Sequence, residues 1–169
     1  GDNKKMSAKF DINSDRAQRG LKFQERIHHS IKTQYDLTIT TREWLLDIDP
    51  CLSDVQLNVL ERTWGDLVIL DMKTRNAVAF VECVSLKDEC SIFPESKVVR
   101  FNGDNKYYAF TWKGGPIKFI HSRTWNAYAR KLKTKKIGKR AYREFTRKNI
   151  KSIRKSCCTS ADKFLSLIE

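Results

Sequence analysis

Two carboxylates, Asp66 and Glu82, stand inside apolar runs that are typical of β-strands. The runs are GDLVIL (65–70) and AVAFVECV (77–84), with KTRN between them as a turn. A hairpin that turns around Thr74 brings the two acids together, since opposed side chains lie about 4.5–5.5 Å apart at Cβ. Two ionised carboxylates that close, among Val, Ile and Phe, repel each other and lose hydration. A bound cation, a basic side chain or protonation of one acid would offset that cost.

A hard divalent cation is a natural partner for such a pair. Mg²⁺, with Mn²⁺ as a substitute, is held by one or two carboxylates together with water and phosphate oxygens. The alternative places one or both acids at a strand end, where they are exposed or paired with a nearby Arg or Lys. The surrounding elements and the charge distribution favour the metal.

Positive charge is concentrated in one segment. Of 33 Lys and Arg residues, 13 lie between Arg130 and Lys155, where Glu144 is the one acid. The remaining chain carries 20 basic and 19 acidic residues and is nearly neutral. Such a segment suits a polyanion, most often nucleic acid, and so supports a metal-dependent phosphodiester site. The alternative is a solvated charged helix that binds nothing in particular.

The basic segment supplies the predicted nucleic-acid contacts. A membrane surface is disfavoured as the partner because the segment has no broad, bulky apolar face. Contacts to backbone phosphates give affinity with little sequence information and a steep salt dependence. The predicted contact residues are Arg130, Lys131, Lys133, Lys135, Lys136, Lys139, Arg140, Arg143 and Arg147.

Hydrophobic periodicity predicts the elements that position these residues. Ser14 is a good N-cap for a first helix, whose apolar stripe contains Gln24 and has Glu25 at its flank. A stripe at Tyr142, Phe145, Ile150, Ile153 and Cys157 predicts that the basic segment is helical as well. Strands are predicted at 35–41, 66–72, 77–84, 106–112 and 116–121, and further helices at 53–62, 94–103 and 122–132. This order predicts an α/β domain around a mixed, partly antiparallel sheet.

Three stretches together resemble the PD-(D/E)XK nuclease superfamily. RGLKFQERI (19–27) is similar to the helix that opens many of these domains, and GDLVI (65–69) to the strand bearing the metal-binding Asp. VAFVECV (78–84) resembles the strand bearing Glu-x-Lys. The resemblance implies a restriction-endonuclease-like core of αβββαβ order, with a mixed central sheet flanked by helices. The predicted division is a flexible segment at 1–13, a nuclease-like domain at 14–132 and a basic helical C-terminal extension at 133–169, packed on or beside the domain.

The resemblance also implies roles for individual residues. Asp66 and Glu82 would bind Mg²⁺, which lowers the pKa of a bound water and stabilises the transition state of phosphodiester hydrolysis. Glu25 or Gln24 would hold a metal-bound water from the first helix. The superfamily has Glu at the position of Gln24, and Glu25 follows it directly.

The lysine of the Glu-x-Lys motif is replaced by Val84, which can neither activate water nor neutralise charge. Some members of the superfamily draw an equivalent lysine from the following helix, and Lys97 is the best placed residue there. If nothing replaces the lysine, the domain is a binding module with a degenerate site. Lys97 is therefore the predicted substitute, and a site with no substitute lysine is the alternative.

The sequence therefore predicts a metal-dependent endonuclease that acts on DNA in preference to RNA. The alternatives are a catalytically inactive nucleic-acid-binding protein on the same fold and a basic adaptor for an acidic protein. Dimerisation is open, although two sites are needed to cut both strands at once. Five cysteines without a CxxC pair predict reduced thiols in an intracellular protein, cytoplasmic or wherever its substrate resides.

Overall fold

The structure is a computed structural model that describes residues 18, 21–22, 24–27, 29, 38–71, 73–86, 90–113, 115–158, 163–164 and 168. The described residues between 18 and 29 are helical. The strands are β1 (Thr38–Thr40), β2 (Leu67–Leu70), β3 (Ala77–Leu86), β4 (Cys90–Pro94), β5 (Lys106–Trp112), β6 (Lys118–His121), β7 (Thr134–Ile137) and β8 (Arg140–Thr146). The helices are α1 (Thr41–Ile48), α2 (Asp54–Trp64), α3 (Glu95–Arg100), α4 (Ser122–Ala129) and α5 (Arg147–Ser156).

The main sheet has five strands in the order β1-β2-β3-β5-β6. β3 and β5 run parallel, and the other neighbours are antiparallel. The chain crosses from β3 to β5 through β4 and the short helix α3. The predicted α/β class with a mixed sheet flanked by helices is confirmed. Two helices, α1 and α2, stand between the first and second strands; α2 matches the helix predicted at 53–62, and α1 was not predicted.

The register of the β2–β3 hairpin agrees with the predicted turn around Thr74. Leu67 pairs with Val81 and Val68 with Phe80, before an irregularity that follows Ile69. The turn specifies this register, and a slip by one residue would turn every side chain of one strand to the opposite face. Asp66, one residue before β2, therefore lies beside Glu82.

Buried side chains cover both faces of the main sheet. On one face, Val68, Phe80 and Val84 pack in a large cluster with aromatic residues from the second half of the chain. On the other face, the smaller cluster brings together Ile27, Leu67, Ile69, Ala79, Val81, Ala109, Phe119 and Phe164. Asp66 and Glu82 are an even number of residues from Val68 and Phe80, so they lie on the same face of the sheet. The two acids are therefore at the edge of the larger core.

The predicted helical C-terminal extension is wrong for residues 134–146. They form the β7–β8 hairpin, which pairs with β4 in a second sheet of order β4-β8-β7. The hairpin turns at Gly138, which has φ +62°, and β8 buries Phe145 among the core residues of the first face. The helix is confirmed only for α5, where Ile150 and Ile153 are buried in that cluster.

Local hydrogen bonds account for the helices nearest the site. Ser53 begins α2 with a capping box, in which its side-chain oxygen accepts from the Gln56 N–H and the Gln56 side chain accepts from the Ser53 N–H. Pro94 precedes α3, as predicted from its suitability for a helix start. Within the described residues, none of the helices has the length and apolar character needed to cross a membrane.

Candidate active site

Gly65 links the end of α2 to Asp66 through a conformation that suits only glycine. Its φ is +86°, its N–H donates to the carbonyl of Glu61 at 2.8 Å, and a Cβ there would lie 2.7 Å from the carbonyl oxygen of Val81. The next N–H, of Asp66, donates to that same Val81 oxygen at 2.8 Å. The close approach of the Gly65–Asp66 backbone to Val81 therefore sets the position of the Asp66 Cα.

We expect Gly65→Ala to lower the free energy of unfolding by about 2–3 kcal/mol, because the methyl group meets rigid backbone at a positive φ. Gly138→Ala is the matched control, since Gly138 also has a positive φ but has no atom within 4 Å of an added Cβ. Urea denaturation of both variants measures the difference. Equal destabilisation of the two variants would show that the contact with Val81 has no energetic importance.

The two carboxylates meet at one end of the β2–β3 pair. Asp66 Oδ2 accepts a hydrogen bond of 2.8 Å from the backbone N–H of Cys83. Glu82 lies in the middle of β3, only 6% exposed, and pairs in register with Tyr108 of β5. The hydrogen bond from Cys83 fixes the Asp66 side chain directly beside Glu82.

Burial and the nearby charge of Glu82 raise the pKa of Asp66 to about 8. The Cys83 N–H and the positive charge of Lys97 act in the opposite direction, and the charge of Glu61 adds to the rise. In the absence of a further cation, Asp66 thus keeps its proton at neutral pH. The pair shows the electrostatic strain that the sequence predicted.

Lys97 reaches this pair from α3. Its Nζ lies 2.6 Å from Glu82 Oε1 in an ion pair. Burial alone would lower the pKa of Lys97, but the charge and hydrogen bond of Glu82 and the charge of Asp66 together raise it. Val84, at the position where the resemblance would place a lysine, is buried in the core. The structure therefore brings together three residues that the sequence singled out: Asp66, Glu82 and Lys97.

Gln24 and Glu25 are both helical, the first half-buried and the second exposed. Among the described residues, no hydrogen bond or ion pair joins either side chain to Asp66 or Glu82. Their role in holding a water molecule stays a prediction.

Sequence reasoning missed three supporting residues. The Cys83 thiol lies close to both acids, and burial followed by the charges of Asp66 and Glu82 raises its pKa well above the ordinary value. It is therefore a neutral thiol and not a nucleophile. Tyr108 donates to Asn126 Oδ1 at 3.1 Å, and Glu61 lies at the end of α2, held by Arg42 Nε at 2.9 Å. Of these three residues, only Glu61 could have been noticed in the sequence, because it lies four residues before Gly65.

The pair has the right donors for a hard divalent cation. Each carboxylate is held at one oxygen, Asp66 Oδ2 by the Cys83 N–H and Glu82 Oε1 by Lys97 Nζ, and the Cys83 thiol also bonds to the Asp66 side chain. At Asp66, burial and the charge of Glu82 outweigh the Cys83 hydrogen bond and the charge of Lys97, so the pKa is raised. Among the described residues, no three His, Cys, Asp or Glu side chains form a metal-binding group. Water and phosphate oxygens would complete the shell, as is usual for Mg²⁺.

The predicted nucleic-acid contacts divide into two groups. Arg143 is half-buried, pairs with Glu95 at 2.6 Å and donates to the backbone carbonyls of Arg130 and Leu132, so it holds the β7–β8 hairpin against α3. The other predicted residues are exposed on the hairpin and its flanks: Arg130, Lys131, Lys133, Lys135, Lys136, Lys139, Arg140 and Arg147.

Comparison with protein-family models, with curated proteins and with solved structures finds no match to this chain.

Proposed function

We infer that this chain is a metal-dependent endonuclease that hydrolyses phosphodiester bonds in DNA through a PD-(D/E)XK-like site on a restriction-endonuclease-like core. One observation carries the proposal: Lys97 Nζ lies 2.6 Å from Glu82 Oε1, and the charges of both residues act on Asp66. Two acids and one lysine are the set that the resemblance implies, and here the lysine comes from α3 instead of β3. Val84 is then no obstacle to activity.

Asp66 and Glu82 would hold the cation, Mg²⁺ or Mn²⁺, through their carboxylate oxygens. When bound, the cation supplies Lewis-acid activation of water and neutralises charge that develops at the phosphate. The Cys83 N–H keeps Asp66 oriented toward Glu82, so the site is built before the substrate arrives.

Lys97 acts as a cation and not as a general base. Its raised pKa keeps the ammonium group protonated at neutral pH. A protonated lysine can donate a hydrogen bond to the attacking water or to a phosphate oxygen, and its charge offsets the negative charge of the transition state. The ion pair with Glu82 fixes the direction in which Nζ points.

The test is incubation of the purified chain with supercoiled plasmid in Mg²⁺, in Mn²⁺ and in EDTA. The proposal requires conversion to nicked or linear plasmid that depends on the metal. Plasmid bound but never cut, with branched DNA and RNA also left intact, would favour the inactive nucleic-acid-binding protein. Absence of any affinity for nucleic acid would favour the basic adaptor.

We expect Lys97→Met to reduce the nicking rate by about 10²–10³-fold, the usual effect of removing one electrostatic donor from a site of this kind. Arg100→Met is the matched control, because it removes one positive charge from the exposed side of the same helix. Rates are compared at a temperature where every variant is folded, and Lys97→Arg, which keeps the charge, should retain more activity than Lys97→Met. An unchanged rate in Lys97→Met would remove this residue from the mechanism.

A further inference from the structure

The distal part of the β7–β8 hairpin is a two-stranded ribbon that leaves the body of the protein. β4 pairs with β8 only from Tyr142 to Thr146, so residues 136–141 pair with each other alone. All four residues of β7 are exposed, and so are the turn residues Gly138 and Lys139. We call residues 133–141 the basic ribbon.

The basic ribbon carries cations on both of its faces. Register places Lys136 opposite Ala141 on one face, and Lys135, Ile137 and Arg140 on the other. Glu144 is the nearest acid, 4.0 Å from Lys135 and outside the ribbon itself. Ile137, next to the turn, is 49% exposed although it is apolar. The ribbon therefore combines a positive surface with one apolar side chain near its tip. The cations of the ribbon are Lys133, Lys135, Lys136, Lys139 and Arg140.

The base of the ribbon is rigid and is joined to the candidate active site. Phe145 stacks on Trp125 with ring centroids 4.9 Å apart, inside the core. The ion pair of Arg143 with Glu95 connects β8 to the first residue of α3, two positions before Lys97. A nucleic acid held by the ribbon is thus held at a constant position relative to Lys97.

The dimensions of the basic ribbon fit the major groove of B-form DNA. Beyond β4 the ribbon has two residue pairs and a turn, so its paired strands extend about 7 Å and lie about 4.8 Å apart between their axes. The major groove of B-form DNA, about 12 Å wide, admits a two-stranded β-ribbon, whereas its minor groove is about 6 Å wide. The major groove of A-form RNA is deep and too narrow for side chains to read. An exposed isoleucine can contact the methyl group of thymine in the major groove.

We propose that the basic ribbon enters the major groove of a DNA duplex and that double-stranded DNA is the substrate. This inference rests on the nuclease function proposed above. The lysines and Arg140 contact phosphates on both sides of the groove. The rigid base then presents one strand of the duplex to Asp66, Glu82 and Lys97.

The test is equilibrium binding by fluorescence anisotropy in EDTA, which separates recognition from cleavage. The probes are a 20-base-pair DNA duplex, the same sequence as an RNA duplex, and the single DNA strand. The ribbon variant combines Lys136→Ala, Lys139→Ala and Arg140→Ala. The control variant combines Lys148→Ala, Lys151→Ala and Lys155→Ala, which removes the same charge from the exposed side of α5.

We expect the DNA duplex to bind at least about 10-fold more tightly than either other probe, and the ribbon variant to lose at least about 30-fold in affinity near 100 mM salt. The salt slope should fall by about 2–3 in the ribbon variant, as for three lost phosphate contacts. The control variant should lose less than about fivefold. A bulky substituent at C5 of the cytosines, which fills the major groove, should weaken binding, while a minor-groove drug should not compete.

Three results would overturn the inference: equal binding of duplex RNA or of single-stranded DNA, equal losses in the two variants, and competition by the minor-groove drug alone. Its failure is distinct from failure of the nuclease function. Ribbon-dependent binding of duplex DNA without cleavage in Mg²⁺ would contradict only the nuclease. Metal-dependent cleavage that is insensitive to the ribbon variant would contradict only the ribbon's role.

Discussion

We expect Asp66→Asn and Glu82→Gln each to reduce metal-dependent nicking by at least about 10³-fold, since each removes one of two anionic ligands that a hard cation requires. Such a factor corresponds to about 4 kcal/mol of transition-state stabilisation. Both substitutions keep the size of the side chain, and the amide oxygen introduced by Asp66→Asn can still accept from the Cys83 N–H. Single-turnover nicking of supercoiled plasmid at saturating protein measures the loss.

Asp71→Asn is the control for this experiment. Asp71 also lies on the β2–β3 hairpin, but its side chain accepts backbone N–H bonds from Lys73 and Thr74 in the turn, far along the strand from Glu82. The Asp71→Asn variant should nick plasmid at a rate within about twofold of that of the unmodified protein. Duplex DNA should bind the two site variants at least as tightly as the unmodified protein, because Glu82→Gln removes a negative charge near phosphate and Asp66→Asn adds none. Full activity in Asp66→Asn would exclude the proposed site.

The second large effect concerns stability, and it follows from the pKa of Asp66. That pKa is about 8 in the folded protein and 3.8 for an ordinary Asp. Between these values the folded state keeps a proton that the unfolded chain releases, so stability contributed by this group is complete below about pH 4 and falls as pH rises toward 8. The loss approaches about 1.4 kcal/mol per pH unit. We therefore expect the Tm of metal-free protein to fall between pH 5 and pH 8.

Asp66→Asn should flatten this dependence, because it removes the titrating group while the neighbours that shift it remain. Those neighbours are Glu82 on β3, Lys97 on α3 and Glu61 on α2. Differential scanning fluorimetry in EDTA at half-unit pH steps compares the two proteins. Parallel curves would show that Asp66 titrates normally in the folded state.

The same measurement detects metal binding without any assay of activity. At pH 8, about 10 mM Mg²⁺ or Mn²⁺ should raise the Tm of the unmodified protein, since the cation replaces the proton on Asp66 and binds only the folded state. At pH 5.5 the proton competes, and the increase should be much smaller. Asp66→Asn should show little increase at either pH. An equal increase in both proteins would point to metal bound elsewhere.

Local sequence information was sufficient for the hairpin that carries the two acids. Its strands are close in sequence, and the turn around Thr74 sets their register, so the position of Asp66 beside Glu82 follows from the turn. Lys97 could be predicted because a proline start and the following residues indicate a helix just after the Glu82 strand. Both inferences depend on neighbours within about twenty residues.

The basic segment required the tertiary structure. Tyr142, Phe145, Ile150 and Ile153 suggest one helical stripe, yet β8 ends at Thr146 and α5 begins at Arg147. The partner that makes residues 140–146 a strand is β4, about fifty residues earlier, and its backbone hydrogen bonds outweigh local helical preference. Sequence alone thus determined the charge of this segment and the two acids opposite each other. Tertiary contacts decided that the charge lies on a β-ribbon, because the strand β8 depends on packing against β4, a segment distant along the chain.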